Sequence, residues 1–300
     1  MNATIDRQEA LATAETRIEP GKRYGFFTDT TLCIGCKACE VACKEWNQLP
    51  AEDMALSGTS YDNTERLSAT TWRHVRFVEQ MADGSGERAA GDGSAVPRPG
   101  DGPHNAAPDR WLMMSDVCKH CSNAPCLEAC PTGAIFKTEF DTVVVQQDIC
   151  NGCGYCVPAC PFGVVEIDAL DGKAHKCTLC YDRLKGGLEP ACAKACPTDS
   201  IVFGELGALD RRANERVREL HARGVEDAYL YGTPESPGAT GGLERLNAFF
   251  LLLDRPEVYN LPAAPSRPAS RILPALGAGL AAVAALACLA GSIFAERPRR

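Results

Sequence analysis

The chain has 300 residues, of which 45% are hydrophobic, and a formal net charge of −8 at pH 7. This length allows one large domain or two modest ones, and the acidic balance excludes nucleic acid as an expected partner, because phosphate binding requires a basic surface. Of the 17 cysteines, 16 fall into four tight groups and only Cys288 stands apart, in an apolar run where we expect a small buried hydrophobe. Disulfide frameworks spread cysteines along a chain, whereas ligand sets gather them in loops, so the grouping indicates a cofactor.

The N-terminal arm, residues 1–23, is polar and mixed in charge. It has neither the apolar stretch of a secretory signal nor a twin-arginine pair before a hydrophobic segment. We interpret it as a loose arm.

The first cysteine group has gaps of two, two and three residues, the spacing of a bacterial 4Fe–4S motif. Lys44 stands where a proline usually follows. We expect residues 40–46 to form a helical turn and Trp46 to pack over the cluster. The candidate ligands are Cys33, Cys36, Cys39 and Cys43.

Two segments of different character separate the first group from the second. Residues 72–78 alternate as a strand does, with Trp72 and Phe77 as core contacts. Residues 82–109 lose this periodicity and are rich in Gly, Pro, Asp and Ser, which predicts a disordered surface insertion. His74 and His104 have no second candidate ligand near them, so we expect solvated or packed side chains.

The second group has a middle gap of four residues and ends in Pro131. His120 lies inside this group and could shift the reduction potential by donating a hydrogen bond to sulfur. Because four thiolates already complete a site, we expect it to be a surface side chain. Short strands are predicted at 134–136 and 143–145. The candidate ligands are Cys118, Cys121, Cys126 and Cys130.

The third group matches the bacterial ferredoxin run C-x2-C-x2-C-x3-C-P in full and ends in Pro161. Three thiolates from such a loop bind three irons of one cubane, and the fourth reaches a neighbouring cluster. Gly152 and Gly154 allow the backbone to wrap closely and aim amide hydrogens at the cluster. Zinc or disulfides are the alternatives. The candidate ligands are Cys150, Cys153, Cys156 and Cys160.

The fourth group has a loop of eleven residues between its second and third members and ends in Pro197. A turn and a short apolar segment follow each of groups two, three and four. The apolar segment lies at 164–168 after group three and at 201–203 after group four. This recurrence indicates internal duplication. A turn is also predicted at 170–172. The candidate ligands are Cys177, Cys180, Cys192 and Cys196.

The spacing between groups predicts which cysteines share a cluster. Nineteen residues separate Cys130 from Cys150, as in a two-cluster ferredoxin whose fourth cysteines are exchanged. Two clusters then take Cys118, Cys121, Cys126 with Cys160, and Cys150, Cys153, Cys156 with Cys130. By elimination, the outer groups cross as Cys33, Cys36, Cys39 with Cys196, and Cys177, Cys180, Cys192 with Cys43. Four self-contained sites are the alternative.

The predicted fold is therefore α+β: a duplicated bacterial ferredoxin-like domain over residues 24–205, with one two-cluster module inserted in the other. A C-terminal extension and proline-rich spacer follow at 206–265. The extension begins with a charged amphipathic helix at 206–223, with Val217 and Leu220 on its apolar side, and an apolar segment lies at 246–253.

Residues 272–295 contain no charged side chain. As a helix they would span roughly 36 Å, enough for a bilayer core of about 30 Å. We predict a single transmembrane anchor, the alternative being a buried soluble helix. Its many small residues favour packing on another membrane subunit.

Four clusters with all ligands supplied leave no open iron, and the sequence has no nucleophile–base pair or phosphate loop. A saturated 4Fe–4S centre exchanges single electrons. The residues therefore predict an electron-transfer subunit, with no catalytic site of its own, between a catalytic partner and a membrane partner.

The segment from Cys33 to Asn47 resembles the iron–sulfur subunits of respiratory molybdopterin oxidoreductases, and most of all the beta subunit of membrane-bound formate dehydrogenase. Residues 67–72 and 241–261 and the C-terminal helix are similar to the same subunit. The resemblance covers most of 24–295, except 82–108.

The resemblance implies a catalytic alpha subunit with a molybdenum or tungsten bis-pterin that oxidises formate, and a gamma subunit, a b-type cytochrome that reduces quinone. It also implies a chain anchored in the lipid of the plasma or inner membrane, with its clusters on the extracytoplasmic side after export with the alpha subunit. The alternatives are a subunit of another molybdopterin oxidoreductase or hydrogenase, of the sulfur-compound or sulfoxide reductase type, and a structural zinc protein.

Overall fold

The computed structural model describes residues 18–51, 62–80, 110–236 and 242–267, together with the backbone of residues 87–89 and Leu286. Most of the predicted N-terminal arm, most of the predicted insertion at 82–109 and, except for Leu286, the predicted anchor at 272–295 lie outside these residues, as do His104 and Cys288. Within the described part of the chain, no helix is both long and apolar enough to cross a membrane.

The described residues combine short helices with small sheets, so the predicted mixture of helices and strands is confirmed. The helices are α1 (Ala38–Asn47), α2 (Pro125–Glu128), α3 (Cys156–Ala159), α4 (Tyr181–Lys185), α5 (Ala191–Lys194) and α6 (Leu206–Ala222), with a 3-10 turn at Pro256–Tyr259. The strands are β1 (Tyr24–Asp29), β2 (Arg73–Gln80), β3 (Glu87–Ala89), β4 (Arg110–Val117), β5 (Ile135–Lys137), β6 (Val143–Val145), β7 (Glu166–Ile167), β8 (Ala174–His175), β9 (Ile201–Glu205), β10 (Tyr229–Tyr231) and β11 (Ala248–Leu252).

The central sheet has the strand order β10-β11-β1-β9, and every residue of β1 is buried. Strand β1 runs parallel to β11 and antiparallel to β9, with Tyr24 opposite Glu205. This pairing brings the start of the first cysteine group near the end of the fourth. Gly25 is required in β1, because a Cβ there would lie 1.8 Å from the carbonyl oxygen of Asn247.

The two faces of the central sheet bury different cores, because successive strand residues point to opposite sides. Phe26 packs in the core that contains the cysteines, whereas Phe27 packs under α6, where its ring lies 5.4 Å from that of Phe249. Helix α6 covers β1, β9 and β10, and its buried face includes Leu209 and Leu220. Burying each leucine contributes about 1.5–3 kcal/mol.

The helix predicted at 206–223 is confirmed to within one residue, since α6 ends at Ala222. Leu220 is buried and Val217 is partly buried against the same core, so both residues lie on the apolar side of the helix, as predicted. The apolar segment predicted at 246–253 is largely the buried strand β11.

A second sheet has the strand order β3-β2-β4, and its strands lie between the first and second cysteine groups in sequence. Strands β2 and β4 pair antiparallel from Arg73 opposite Val117 to Gln80 opposite Arg110. The strand predicted at 72–78 thus lies at 73–80. The prediction of disorder over 82–109 is wrong for residues 87–89, because they extend the antiparallel pairing of β2 as β3.

Two hairpins, β5–β6 and β7–β8, follow the second and third cysteine groups. The strands predicted at 134–136 and 143–145 are confirmed to within one residue. The strand predicted at 164–168 is shorter, at 166–167, because Val164 and Val165 form part of a cavity wall instead. The turn predicted at 170–172 is present, with Gly172 at φ 69°.

Candidate metal centres

The structure brings the described cysteines together in sets drawn from two groups each. Three of these sets line cavities in the described structure. We name them the first site (Cys33, Cys36, Cys39 and Cys196), the second site (Cys118, Cys121, Cys126 and Cys160) and the third site (Cys130, Cys150, Cys153 and Cys156). In each cavity, the fourth cysteine of one group faces the first three of another.

The remaining described cysteines form the fourth site (Cys43, Cys177, Cys180 and Cys192). Burial raises the pKa of the Cys43 thiol, and the charges of Cys177, Cys192 and Cys180 raise it further. Helix α1, which carries Cys43, packs against α5, which carries Cys192. We call the second and third sites the inner sites and the first and fourth the outer sites.

One backbone feature recurs in all four groups. The residue before the second cysteine has a left-handed conformation: Gly35 at φ 65°, His120 at 43°, Gly152 at 73° and Leu179 at 58°. This conformation lets the loop curl around a central group, and it favours glycine. The amide of Leu179 donates to the sulfur of Cys177 at 3.3 Å, and the amide of Ala174 donates to that of Cys150 at 3.5 Å.

Burial in these sites disfavours thiolates in the absence of a cation. It raises the pKa of Cys39 and of Cys126 to about 12 and that of Cys156 to about 11, and neighbouring cysteines add to the effect in each case. Metal binding displaces thiol protons and pairs the charges that result. Soft sets of four sulfur ligands select zinc or iron–sulfur clusters, so the donor chemistry of all four sites fits a 4Fe–4S cluster.

Three buried cations lie beside the sites and were not found from the sequence. Lys119 is 1% exposed and donates to Val117 and Asp116. Lys176 is 2% exposed and donates to the carbonyls of Cys177, at 3.0 Å, and of Val143. Arg73 is 1% exposed. The sequence feature that could have indicated the two lysines is their position immediately beside cysteines of groups two and four.

The expectation that His120 is a surface side chain is wrong. The residue is 1% exposed and forms part of the wall of the second cavity. Its Nδ1 accepts a hydrogen bond from the backbone of Val143, and its Nε2 is buried without a partner among the described residues. The imidazole of His120 is held inside the protein by this hydrogen bond from Val143 of strand β6. The burial of His120 therefore depends on a residue that is distant in sequence.

The expectation that Trp46 packs over a cluster is also not met. The side chain is 42% exposed and lines an open groove with Arg183 and Lys194. Its Nε1 donates to Asp182 at 2.8 Å, and the Arg183 guanidinium lies 4.2 Å from its ring. By contrast, His74 is packed, which is one of the two states expected for it, and its Nε2 lies 3.1 Å from Asp62 Oδ2.

The chain is similar in sequence to known iron–sulfur proteins. A family model described as a 4Fe-4S dicluster domain matches residues 109–206. The nitrate-inducible formate dehydrogenase iron–sulfur subunit of Escherichia coli is 38% identical over 271 residues, 89% of this chain and 82% of that protein. The formate dehydrogenase iron–sulfur subunit of Haemophilus influenzae is 38% identical over 241 residues, 79% of this chain and 68% of that protein.

A third relative belongs to a different enzyme. The B subunit of the anaerobic dimethyl sulfoxide reductase of Escherichia coli is 33% identical over 190 residues, 63% of this chain and 77% of that protein. The identity is higher, and the share of this chain larger, for the two formate dehydrogenase subunits. With its dicluster domain and its four cysteine sets, the chain thus belongs to the family of formate dehydrogenase iron–sulfur subunits.

Proposed function

We propose that this chain is the electron-transfer subunit of a formate dehydrogenase and conducts electrons through four 4Fe–4S clusters. A bound 4Fe–4S cluster accepts and releases one electron. The observation that carries the proposal is the set of four sites, each with four cysteine sulfurs, because saturated ligation leaves no iron free to bind a substrate. The chain is thus a conductor and not the catalytic subunit.

The proposed ligands are the cysteines of the four sites defined above. In the inner pair, the second site takes its fourth sulfur from Cys160 and the third takes its fourth from Cys130. In the outer pair, the first site takes its fourth sulfur from Cys196 and the fourth takes its fourth from Cys43. The cavity walls support these assignments for three of the sites.

Duplication of a two-cluster module explains this arrangement. The left-handed residue before the second cysteine occurs in all four groups, and a hairpin or strand follows groups two, three and four. In this proposal, the inner module is inserted between the halves of the outer module, which close through the pairing of β1 with β9.

The described residues contribute to the proposed clusters in three ways. Buried sulfurs such as Cys39, Cys126 and Cys177 exclude water, which limits side reactions of the reduced clusters. Amide hydrogens such as that of Leu179 stabilise negative charge on sulfur. The buried cations Arg73, Lys119 and Lys176 offset the charge of the thiolate ligands.

The proposal includes partners on both sides. A catalytic subunit with a molybdenum or tungsten bis-pterin would deliver electrons from formate, and a membrane cytochrome b would pass them to quinone. Residues 272–295 would anchor the chain in the lipid, with its clusters on the extracytoplasmic side. The uncharged composition of this segment supports the anchor.

The test uses the complex isolated anaerobically with its partner subunits. Formate is expected to reduce the clusters of this chain within the complex, and the separated chain is expected not to oxidise formate. Formate oxidation by the separated chain would refute the division of labour.

A second candidate, the same role in a sulfoxide reductase, is favoured by the 33% identity to the B subunit of the dimethyl sulfoxide reductase. The two are separated by the substrate that changes the oxidation state of the clusters in the intact complex. Dimethyl sulfoxide would reoxidise the reduced clusters if the second candidate held, and formate would then fail to reduce them.

A further inference from the structure

Arg73 begins strand β2 and is among the largest fully buried side chains in the described structure. Its guanidinium reaches in two directions. Nη2 donates to the sulfur of Cys192 at 3.1 Å. Nη1 donates to Ser115, at 3.3 Å from the carbonyl oxygen and 3.2 Å from Oγ.

Ser115 extends this contact to a second cysteine. Its Oγ lies 3.2 Å from the sulfur of Cys39, and it forms part of the wall of the first cavity. Cys39 belongs to the first site and Cys192 to the fourth. A continuous chain of contacts therefore runs from Cys192 through Arg73 and Ser115 to Cys39, and it joins the two outer sites.

The charge on Arg73 has no acidic partner among the described residues. None of its hydrogen bonds there goes to a carboxylate, its Nε is buried without a partner, and its Cζ lies 4.8 Å from the ring centre of Phe26. A buried cation without a counter-charge is strongly destabilising. The negative groups beside it are sulfurs, so its charge is compensated only when these sulfurs are thiolate ligands.

The direction of the pKa of Arg73 agrees with this interpretation. Burial lowers it, but the charges of Cys192, Cys39 and Cys177 raise it by more, so the net shift is upward. Because a guanidinium stays protonated in proteins, Arg73 is a permanent cation between two sets of sulfur ligands.

We propose that Arg73 is a positioning residue that joins the two outer cluster sites and raises the reduction potential of both, an inference that rests on the proposed clusters. Reduction adds one electron, and hence one negative charge, to a thiolate-bound cluster. A fixed positive charge and a hydrogen bond to sulfur stabilise that reduced state more than the oxidised state, which raises the potential.

The geometry also predicts an asymmetry between the two outer clusters. The fourth site receives a direct hydrogen bond from Arg73. The first site receives its link through the hydroxyl of Ser115. Removing that hydroxyl should therefore affect the first site and leave the direct contact with Cys192 in place.

The test compares variants of the full complex by redox titration monitored by electron paramagnetic resonance. Signals of the outer clusters are assigned from Cys196→Ser for the first site and Cys43→Ser for the fourth. Arg73→Gln is expected to shift both outer potentials to more negative values, and by more than either inner potential, because its hydrogen bonds lead only to sulfurs of the outer sites. Ser115→Ala is expected to shift only the first.

Arg110→Gln is the matched control. Arg110 lies at the opposite end of the β2–β4 pairing, where it donates to Gln80 and to Asp254 at 2.7 Å, and within the described structure its hydrogen bonds and ion pairs involve no cysteine. The register separates it from Arg73 by seven residues, or roughly 23 Å along the strands. Its removal takes one positive charge from the same sheet and should leave all four potentials unchanged.

Each outcome decides the inference. Unchanged outer potentials in Arg73→Gln, or an equal shift of all four clusters, would overturn it. If Arg73→Gln fails to retain iron, Ser115→Ala decides: a negative shift confined to the first site supports the link, and no shift overturns it. An iron count in the unmodified complex below that of four clusters would instead refute the proposed cluster number.

Discussion

The Nδ1 atom of His120 lies 3.0 Å from the backbone nitrogen of Val143 and accepts its hydrogen. The proton of the neutral ring must therefore be on Nε2, which is buried and has no partner among the described residues. Because His120 lies in the wall of the second cavity, we expect this N–H to donate to a sulfur of the cluster proposed for the second site.

The first prediction follows from that donor. Replacing His120 with Phe keeps an aromatic ring and removes the N–H, so the reduced state of the second cluster loses one hydrogen bond. We expect its potential to fall by at most about 65–130 mV. A hydrogen bond to a charged group contributes about 1.5–3 kcal/mol, about 1.4 kcal/mol equals a tenfold change, and a tenfold change in a one-electron equilibrium equals about 59 mV. Redox titration measures this, with the other three clusters as internal controls; an unchanged potential would show that Nε2 does not reach the cluster.

The second prediction concerns the exchange of ligands within the inner pair. Cys160→Ala is expected to remove or convert the cluster of the second site and to leave that of the third site intact, because Cys160 lies in the wall of the second cavity. Cys130→Ala is the mirror control and should affect only the third site. Paramagnetic resonance of both variants distinguishes the sites. Loss of the third cluster in Cys160→Ala would favour four self-contained sites.

The third prediction compares two glycines of one loop. Gly152 and Gly154 have φ of 73° and 77°, so alanine at either costs about 1 kcal/mol in backbone strain. A Cβ on Gly152 would also lie 2.1 Å from the carbonyl oxygen of Gly172, whereas one on Gly154 meets nothing within 4 Å. We expect Gly152→Ala to be less stable by a further 1–3 kcal/mol, roughly, owing to this overlap.

Thermal bleaching of the iron–sulfur absorbance, followed with the signal of the third cluster, measures this difference. The cluster should be lost at a distinctly lower temperature in Gly152→Ala than in Gly154→Ala. Equal temperatures would mean that the β7–β8 turn at Gly172 moves aside without cost.

The fourth prediction concerns acid stability at His74. Burial lowers the pKa of this imidazole below its ordinary value, although the nearby carboxylates of Asp62 and Asp116 oppose the shift. Below pH of about 6.5, the unfolded chain therefore binds a proton that the native chain does not, and native stability falls as the pH falls. We expect the unfolding temperature to decrease between pH 7.5 and pH 5.5.

The variant His74→Gln should show a weaker decrease over the same pH range, because it removes the titrating group. Comparing its unfolding temperature at pH 7.5 with that of the unmodified protein accounts for the lost contact with Asp62. An identical pH dependence in both proteins would assign the acid sensitivity to other groups.

The cysteine groups could be predicted from the sequence because ligand spacing is local and ferredoxin motifs have few alternatives. Helix α6 could also be predicted, because its apolar residues recur with the period of a helix. Arg73 and Ser115 could not be found this way, because their role depends on the pairing of β2 with β4 and on the proximity of Cys39 and Cys192, which are distant in sequence.

Two further features lie beyond local sequence rules. Leu179 adopts a left-handed conformation that glycine normally signals, so its part in the repeated loop is visible only in the structure. His120 is buried by contact with strand β6, and no pattern within its own loop indicates that contact. In both cases, the surrounding fold overrides the preference of the residue.

The most direct test of the central claim is the analysis of metal and acid-labile sulfide in the complex purified without oxygen. Four clusters predict about sixteen irons and sixteen sulfides for this chain, beyond those of its partners. A chain that contains zinc and neither iron nor sulfide would contradict the account.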